Sequence, residues 1–132
     1  MTPFSEGLTA TLRYRVQQRD LASAWGNAFP VLATPILLWL SELVCMKAVE
    51  GCIATDQITL GLGHNSRHIG ASLEGAEIAV SAVLKAWAEK TLEFTVQAHD
   101  RSRLVMEGIH TRALLQRDRF EQKLTALRVH AT

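Results

Sequence analysis

A carboxylate, Glu42, stands in the middle of the most apolar segment of this 132-residue chain. If the segment is helical, the residues three and four positions away lie beside it, and all four are apolar: Leu38, Trp39, Cys45 and Met46. An ionised carboxylate without a partner in a dry site is strongly unfavourable. We therefore expect a partner from another element or a cleft beside the helix. A glutamate that reaches solvent at a subunit interface is the alternative.

Histidines are the second source of acid–base chemistry near neutral pH. The chain has five of them: His64, His68, His99, His110 and His130. His68 is the strongest candidate, because it follows a segment with Gly61 and Gly63, and glycine within a strand often marks the close approach of another group. A turn is expected just after His68, which favours a position at the rim of a cleft. His110 is expected to be structural.

The first half of the chain predicts a strand, a loop and a long helix. Residues 8–16 alternate apolar and polar side chains, the pattern of a strand with one exposed face. Residues 17–29 have no sustained period and predict a loop or a short helical turn. Thr34 and Pro35 predict a helix start capped by the Thr34 hydroxyl, and Gly51 predicts its end. This helix has no polar face, so we expect protein to surround it.

The second half predicts four strands, at residues 57–63, 76–88, 91–99 and 104–116, and a C-terminal helix or extension at 117–128. These elements predict an α+β hotdog fold, an antiparallel sheet of about five strands wrapped around one long buried central helix. The length favours a single domain over residues 1–132. Since the sheet edges can be completed by a second copy, we expect a homodimer, with a dimer of dimers left open.

Composition and targeting features argue against several classes of protein. The formal net charge is +1 and the basic residues are scattered, unlike in a nucleic-acid binder. Cys45 and Cys52 lack metal-ligand spacing and indicate free thiols in a reducing compartment. The N-terminus has no secretory pattern, and the apolar residues 31–46 are fewer than the roughly 20 that span a bilayer. We expect a cytoplasmic protein that binds neither nucleic acid nor membranes.

The motifs of residues 8–125 together resemble the fluoroacetyl-CoA thioesterase type of hotdog thioesterase. The resemblance is carried by V-L-A-T-P from Val31, then Glu42, Gly61, His68, Gly75, and G-I-H-T-R from Gly108, followed by Phe120. Two features depart from that family. Ser72 stands where relatives usually carry Thr, and residues 17–29 do not clearly match the aromatic lid associated with fluoroacetyl discrimination. Specificity for fluoroacetyl-CoA is therefore not implied.

The resemblance implies roles for five residues. It makes Thr34, Glu42 and His68 the catalytic residues. It also makes Gly61 a lining residue of the acyl pocket and Arg112 a cation that contacts the substrate. Judged from its residue type alone, Arg112 could instead form a surface or interface ion pair, and Thr34 could be a plain helix cap. We expect the His68 ring to lie near Glu42, and we expect no metal and no cofactor.

The expected function is that of an acyl-CoA thioesterase, which hydrolyses a small acyl or aryl-acyl thioester to the free acid and CoA. Residues 34–36 at the helix N-terminus would offer N–H donors to the oxyanion. Glu42 would activate water or attack directly, and His68 would carry the proton. One alternative is a non-catalytic acyl-CoA-binding module. The other is an acyl-thioester dehydratase or hydratase, which the lack of any histidine before Glu42 disfavours.

Overall fold

The computed structural model describes residues 3–130, so the outermost ends of the predicted domain lie outside the described residues. The main elements are β1 (Thr9–Arg15), α1 (Thr34–Ala48), β2 (Gln57–His68), β3 (Glu77–Trp87), β4 (Thr91–Asp100), β5 (Arg103–Gln116) and α2 (Arg117–His130). Two 3-10 turns, Gln18–Asp20 and Ala22–Trp25, occupy the segment predicted as a loop or short helical turn. Each predicted strand and helix is present, and β2 is longer than predicted because it continues to His68.

The five strands form one antiparallel sheet in the order β1-β3-β4-β5-β2. α1 contacts all five strands, which requires the sheet to curve around the helix. The predicted α+β architecture of a sheet wrapped around a central helix is therefore confirmed. The core lies between the sheet and α1, and its largest fully buried side chains include Leu37 and Leu40 of α1 and Ile78, Leu84, Leu92 and Phe94 of the sheet.

The start of α1 differs by one residue from its prediction. Ala33, in an extended conformation, is the N-cap, and no side chain caps the helix. Thr34 is therefore the first helical residue, and the predicted cap by its hydroxyl is wrong. Pro35 still fits the first turn, where a missing N–H is tolerated. The Thr34 hydroxyl is consequently available to a different partner.

One stripe of α1 faces away from the sheet. Trp39 is 45% exposed and Met46 is 38% exposed, although both are large and apolar. Within the described chain, protein therefore covers only one side of this apolar helix. Across residues 3–130, none of the helices is long and apolar enough to span a membrane.

A β-bulge interrupts β2 at Leu62. Gly61 pairs with Arg112 on β5, but Gly63 pairs with the adjacent Thr111, so the register shifts by one residue between them. Such a bulge moves the following residues to the opposite face of the strand. His64 therefore shares the α1-facing side of β2 with Gly61.

The two edges of the sheet differ in their accessibility for pairing. The β1 edge has seven residues, and Lys47 Nζ donates a hydrogen bond to the Thr11 carbonyl there, at 2.9 Å. The β2 edge has 12 residues and carries Leu62, which is 60% exposed. A long edge with an exposed apolar side chain is the more favourable one for adding a strand.

Candidate active site

Glu42 lies within a cluster of side chains from three elements. Its Oε2 is 3.2 Å from His64 Nε2 of β2, and its Oε1 is 3.1 Å from Arg112 Nη1 of β5. Glu42 therefore has a partner from each of two other elements, β2 and β5, where one partner was expected. The Glu42 side chain is still 36% exposed, so one side of the carboxylate is accessible to a ligand.

Arg112 is buried and its donors are directed to protein atoms. Nε and Nη2 donate to the hydroxyl and the carbonyl of Thr59, and Nη1 donates to both Glu42 and His110 Nε2. The residue is only 2% exposed. A buried guanidinium does not form a surface ion pair, whereas the interface ion pair and the contact with the substrate stay predictions. Within the chain, the buried Arg112 donates a hydrogen bond to the Glu42 carboxylate and holds it in place.

The two histidines of the cluster are stacked, with ring centroids 4.1 Å apart. His110 Nδ1–H donates to the Gly63 carbonyl at 2.9 Å, which leaves Nε2 to accept from Arg112. This pattern fixes His110 as a neutral ring, and burial also lowers its pKa. His110 is thus structural, as expected, but it belongs to the network that holds Glu42.

The surroundings of Glu42 favour its ionised form. Burial alone would raise the pKa of the carboxyl, but the hydrogen bonds from His64 and Arg112 outweigh this effect and lower it below the ordinary value. The neighbouring Cys45 thiol is buried and its pKa is raised to about 12, so it stays protonated. The cluster therefore presents a stable carboxylate.

Gly61 provides the room that the Glu42 carboxylate occupies. A Cβ at Gly61 would lie 2.5 Å from Glu42 Oε1, closer than real Cβ contacts allow. Gly61 was predicted to line the acyl pocket, and it lies directly against the carboxylate. A side chain at this position would displace the carboxylate.

Glu42, His64 and His110 are also the set of side chains best placed to hold a metal ion among residues 3–130, with donor atoms within 4.8 Å of one another. However, Arg112 Nη1 is 3.1 Å from both the carboxylate and His110 Nε2. A guanidinium stays charged at any ordinary pH and repels a cation at that point. The guanidinium of Arg112 therefore stabilises the Glu42 carboxylate and disfavours a metal ion at this position.

Thr34 and His68 form a second site at the N-terminal end of α1. Thr34 Oγ1 and His68 Nδ1 are 2.8 Å apart. His68 Nε2 is buried and has no hydrogen-bond partner among the described residues. Burial lowers the pKa of His68, so the ring is neutral at neutral pH and can act as a base.

The expected N–H donors of residues 34–36 are reduced to one. Pro35 has no N–H, and the Ile36 N–H donates to the Ala33 carbonyl at 3.1 Å. Of the three, the Thr34 N–H is the remaining donor for an oxyanion. The Thr34 hydroxyl lies on the same residue and can add a second donor.

The structure does not bring all predicted catalytic residues together within one chain. Thr34 and His68 meet, but Glu42 meets His64 instead of His68. Thr34 and Glu42 are eight residues apart on α1, which is about 12 Å along a helix axis. The expectation that the His68 ring lies near Glu42 is therefore not met within the chain.

Sequence reasoning missed His64 as a neighbour of Glu42. Strict alternation from Gly61 places His64 on the opposite face, and only the bulge at Leu62 reverses this. The two glycines flanking Leu62 were the available signal, since glycine within a strand often marks a bulge.

Comparison with known proteins identifies the family. Residues 16–118 match the family described as fluoroacetyl-CoA-specific thioesterase. The fluoroacetyl-CoA thioesterase of Streptantibioticus cattleyicolor is 29% identical over 97 residues, which cover 73% of this chain and 70% of that protein.

Solved structures agree on the fold. A structure of the fluoroacetyl-CoA thioesterase has a TM-score of 0.85 at 24% identity and covers 93% of this chain and 96% of its own. A thioesterase superfamily member from Thermus thermophilus has a TM-score of 0.91 at 21% identity and covers 98% and 97%. A hot-dog-like protein from Thermanaerovibrio acidaminovorans has a TM-score of 0.87 at 13% identity, with coverage of 94% and 93%. The shared fold is the hotdog fold, and because the family match spans most of the chain, the protein belongs to the fluoroacetyl-CoA-specific thioesterase family.

Proposed function

We propose that this protein hydrolyses a small acyl-CoA or aryl-acyl-CoA thioester to the free acid and CoA, with Glu42, His68 and Thr34 as its catalytic residues. Membership of a thioesterase family gives the reaction class, thioester hydrolysis on CoA substrates. The observation that carries the proposal is the ionised, partly exposed Glu42 carboxylate, held by His64 and Arg112 against Gly61. The fluoroacetyl group is one candidate among several small acyl groups.

The lowered pKa of Glu42 bears on its role. A carboxylate whose pKa is depressed is a weak proton acceptor, but it keeps its negative charge for attack on an electrophile. We therefore favour direct attack of Glu42 on the thioester carbonyl, which expels the CoA thiolate and leaves a mixed anhydride. Water then attacks the substrate carbonyl of the anhydride and passes one proton to His68, which releases the free acid and restores the Glu42 carboxylate. The proton on His68 passes to the CoA thiolate and gives the free thiol.

Thr34 and His68 supply the remaining groups. With Nδ1–H donating to Thr34 Oγ1, His68 Nε2 carries a free lone pair that can accept the proton of water. The Thr34 hydroxyl hydrogen is then directed elsewhere and can donate to the thioester oxygen. Together with the Thr34 N–H at the positive end of the helix dipole, it stabilises the oxyanion that forms when Glu42 of the second copy in the dimer proposed below attacks the thioester.

The proposed assembly is a homodimer joined through the β2 edges. The support is the 12-residue open edge of β2 with its exposed Leu62, together with the exposed apolar stripe of α1. The proposed register about the two-fold axis sets His68 of one β2 strand opposite Gly61 of the other, a shift of four residues from full overlap of the two antiparallel strands. Since Glu42 lies against Gly61, this pairing brings His68 of one copy toward Glu42 of the second copy.

The first test is release of CoA thiol from fluoroacetyl-, acetyl-, phenylacetyl- and benzoyl-CoA, followed with a thiol reagent. We expect rapid release from at least one of these thioesters. Saturable binding of all four without release would instead support a non-catalytic acyl-CoA-binding module.

The second test asks whether the active site is shared between subunits. The Glu42→Gln and His68→Ala variants, each inactive alone, are mixed in equal amounts and allowed to exchange subunits. With a shared site, random exchange leaves about a quarter of all sites intact, so about a quarter of the parent activity returns. With all catalytic residues acting within one chain, the mixture stays inactive.

The proposed location is the cytoplasm. Cys45 and Cys52 are both free thiols in the structure, which suits a reducing compartment. The proposed partners are the acyl-CoA substrate and a second copy of the chain.

A further inference from the structure

We propose that His64 is a positioning residue that locks the Glu42 carboxylate in its reactive orientation, and this rests on the proposed function of Glu42. Neither the sequence pattern nor the family resemblance assigned His64 a role. It is not placed to be a proton carrier for the substrate, because its one protein-directed bond goes to Glu42.

The two carboxylate oxygens are held by donors from two different strands. His64 on β2 holds Oε2 at 3.2 Å, and Arg112 on β5 holds Oε1 at 3.1 Å. With one donor on each oxygen, rotation of the carboxylate breaks both bonds. Removal of His64 leaves a single anchor, about which the carboxylate can turn.

The His64 ring is itself oriented by its neighbours. It stacks on His110, which is fixed between the Gly63 carbonyl and Arg112. His64 Nδ1 is buried and has no hydrogen-bond partner among residues 3–130. A proton on Nδ1 would lack an acceptor, so the ring proton belongs on Nε2, where it points at Glu42.

The charged and titratable groups around Glu42 are few. His64 faces it from β2, Arg112 and His110 face it from β5, and Cys45 lies beside it on α1. The ring N–H of His110 donates a hydrogen bond to the Gly63 carbonyl, so His110 is not a donor to Glu42, and the Cys45 thiol stays protonated. His64 is thus the donor to Glu42 that can be altered without removing the buried Arg112 charge.

The test compares His64→Gln with His64→Asn. The Gln amide nitrogen can reach the position of Nε2, whereas the Asn amide is one carbon shorter and cannot. We expect His64→Gln to keep most of the parent kcat. We expect His64→Asn to lower kcat by about tenfold with little change in KM, as a misplaced reacting group does.

A second readout does not depend on turnover. Carbon-detected NMR titration of the Glu42 carboxyl should give a higher pKa in His64→Asn than in the parent, because one stabilising hydrogen bond is lost. His64→Gln should stay near the parent value. His99→Asn, on β4 and outside the cluster, is the matched control and should change neither kcat nor the Glu42 titration.

The outcomes separate this proposal from the proposed function. A parent protein that releases no CoA while the Glu42 pKa rises in His64→Asn supports the positioning role and overturns the thioesterase assignment. Equal titration of Glu42 in the parent, Gln and Asn proteins overturns the positioning role, whatever the parent activity is.

Discussion

The N-terminus and the middle of α1 carry two sites of different character. At the helix N-terminus, Thr34 and His68 share one hydrogen bond, and His68 Nε2 is left without a partner among the described residues. In the middle of the helix, Glu42 is held on both oxygens, and its partners are held in turn.

This difference separates two tasks of the proposed reaction. A carboxylate that must keep its charge beside apolar neighbours needs fixed donors, which the Glu42 cluster supplies. A base that must exchange protons needs a free lone pair, which His68 Nε2 offers in the tautomer proposed above, with Nδ1–H donating to Thr34. Substitutions in the cluster should therefore affect activity and stability together, whereas those in the pair should affect activity alone.

Glu42→Gln should have the largest effect. The amide has nearly the same shape but is neither basic nor nucleophilic, so kcat should fall by about a thousandfold or more. The melting temperature should fall as well, because the buried Arg112 loses its counter-charge. Thiol-release kinetics and thermal unfolding measure both effects. Glu50→Gln, at an exposed site just after α1, is the control. Activity within about threefold of the parent would remove Glu42 from the mechanism.

His68→Ala should lower kcat by about a hundredfold, a typical loss for a general acid–base group. Unlike Glu42→Gln, it should leave the melting temperature nearly unchanged. His99→Ala is the control. A His110 variant would not serve as one, because His110 accepts a hydrogen bond from Arg112 and its loss would disturb the cluster. An unaffected kcat in His68→Ala would contradict the role of the pair.

The pH profile distinguishes the two sites in the parent protein. Burial lowers the pKa of His68, so its limb in kcat/KM should lie below the ordinary value of 6.5. Activity should rise with pH through this limb, as the neutral ring forms. The Glu42 limb should lie lower still, below 4.5. In His68→Ala the upper limb should disappear, and a limb that stays in place would assign it to another group.

Gly61→Ala should lower kcat by about tenfold, because the new methyl group forces the Glu42 carboxylate to move. Gly63→Ala is a matched control two residues away, where a Cβ would meet Thr111 Oγ1 at an ordinary 3.8 Å. Similar kinetic losses in both variants would indicate a general effect on β2 instead of a displaced carboxylate.

Thr34→Ser should have the smallest effect, because it keeps the hydroxyl that accepts from His68 and donates to the thioester oxygen. Thr34→Val removes this hydroxyl and with it one oxyanion donor, so kcat should fall by about a hundredfold. A Ser variant as impaired as the Val variant would mean that the methyl group, and not the hydroxyl, matters.

The elements of the fold could be predicted from the sequence because their signals are local. Alternation along residues 8–16 predicted β1, and Thr34 with Pro35 predicted the start of α1 to within one residue. Glu42 stood out because its helical neighbours are apolar. Each of these inferences needs only the spacing within one element.

The partners of Glu42 could not be predicted in the same way. They depend on the register between β2 and β5 and on a bulge that reverses the face of His64. Arg112 was recognised through the family resemblance, but its burial follows from its bonds to Thr59 on the neighbouring strand. Contacts between elements depend on packing that spacing along one element does not encode.

The hydrogen bond from Lys47 to the Thr11 carbonyl has a consequence for how large an assembly can grow. A sheet with two open edges can add copies at both sides without end and form a fibre. Here the lysine takes up one acceptor on the β1 edge, which favours strand addition at the β2 edge. In the proposed dimer, the two-fold axis pairs the two β2 strands with each other, so neither copy keeps a free β2 edge.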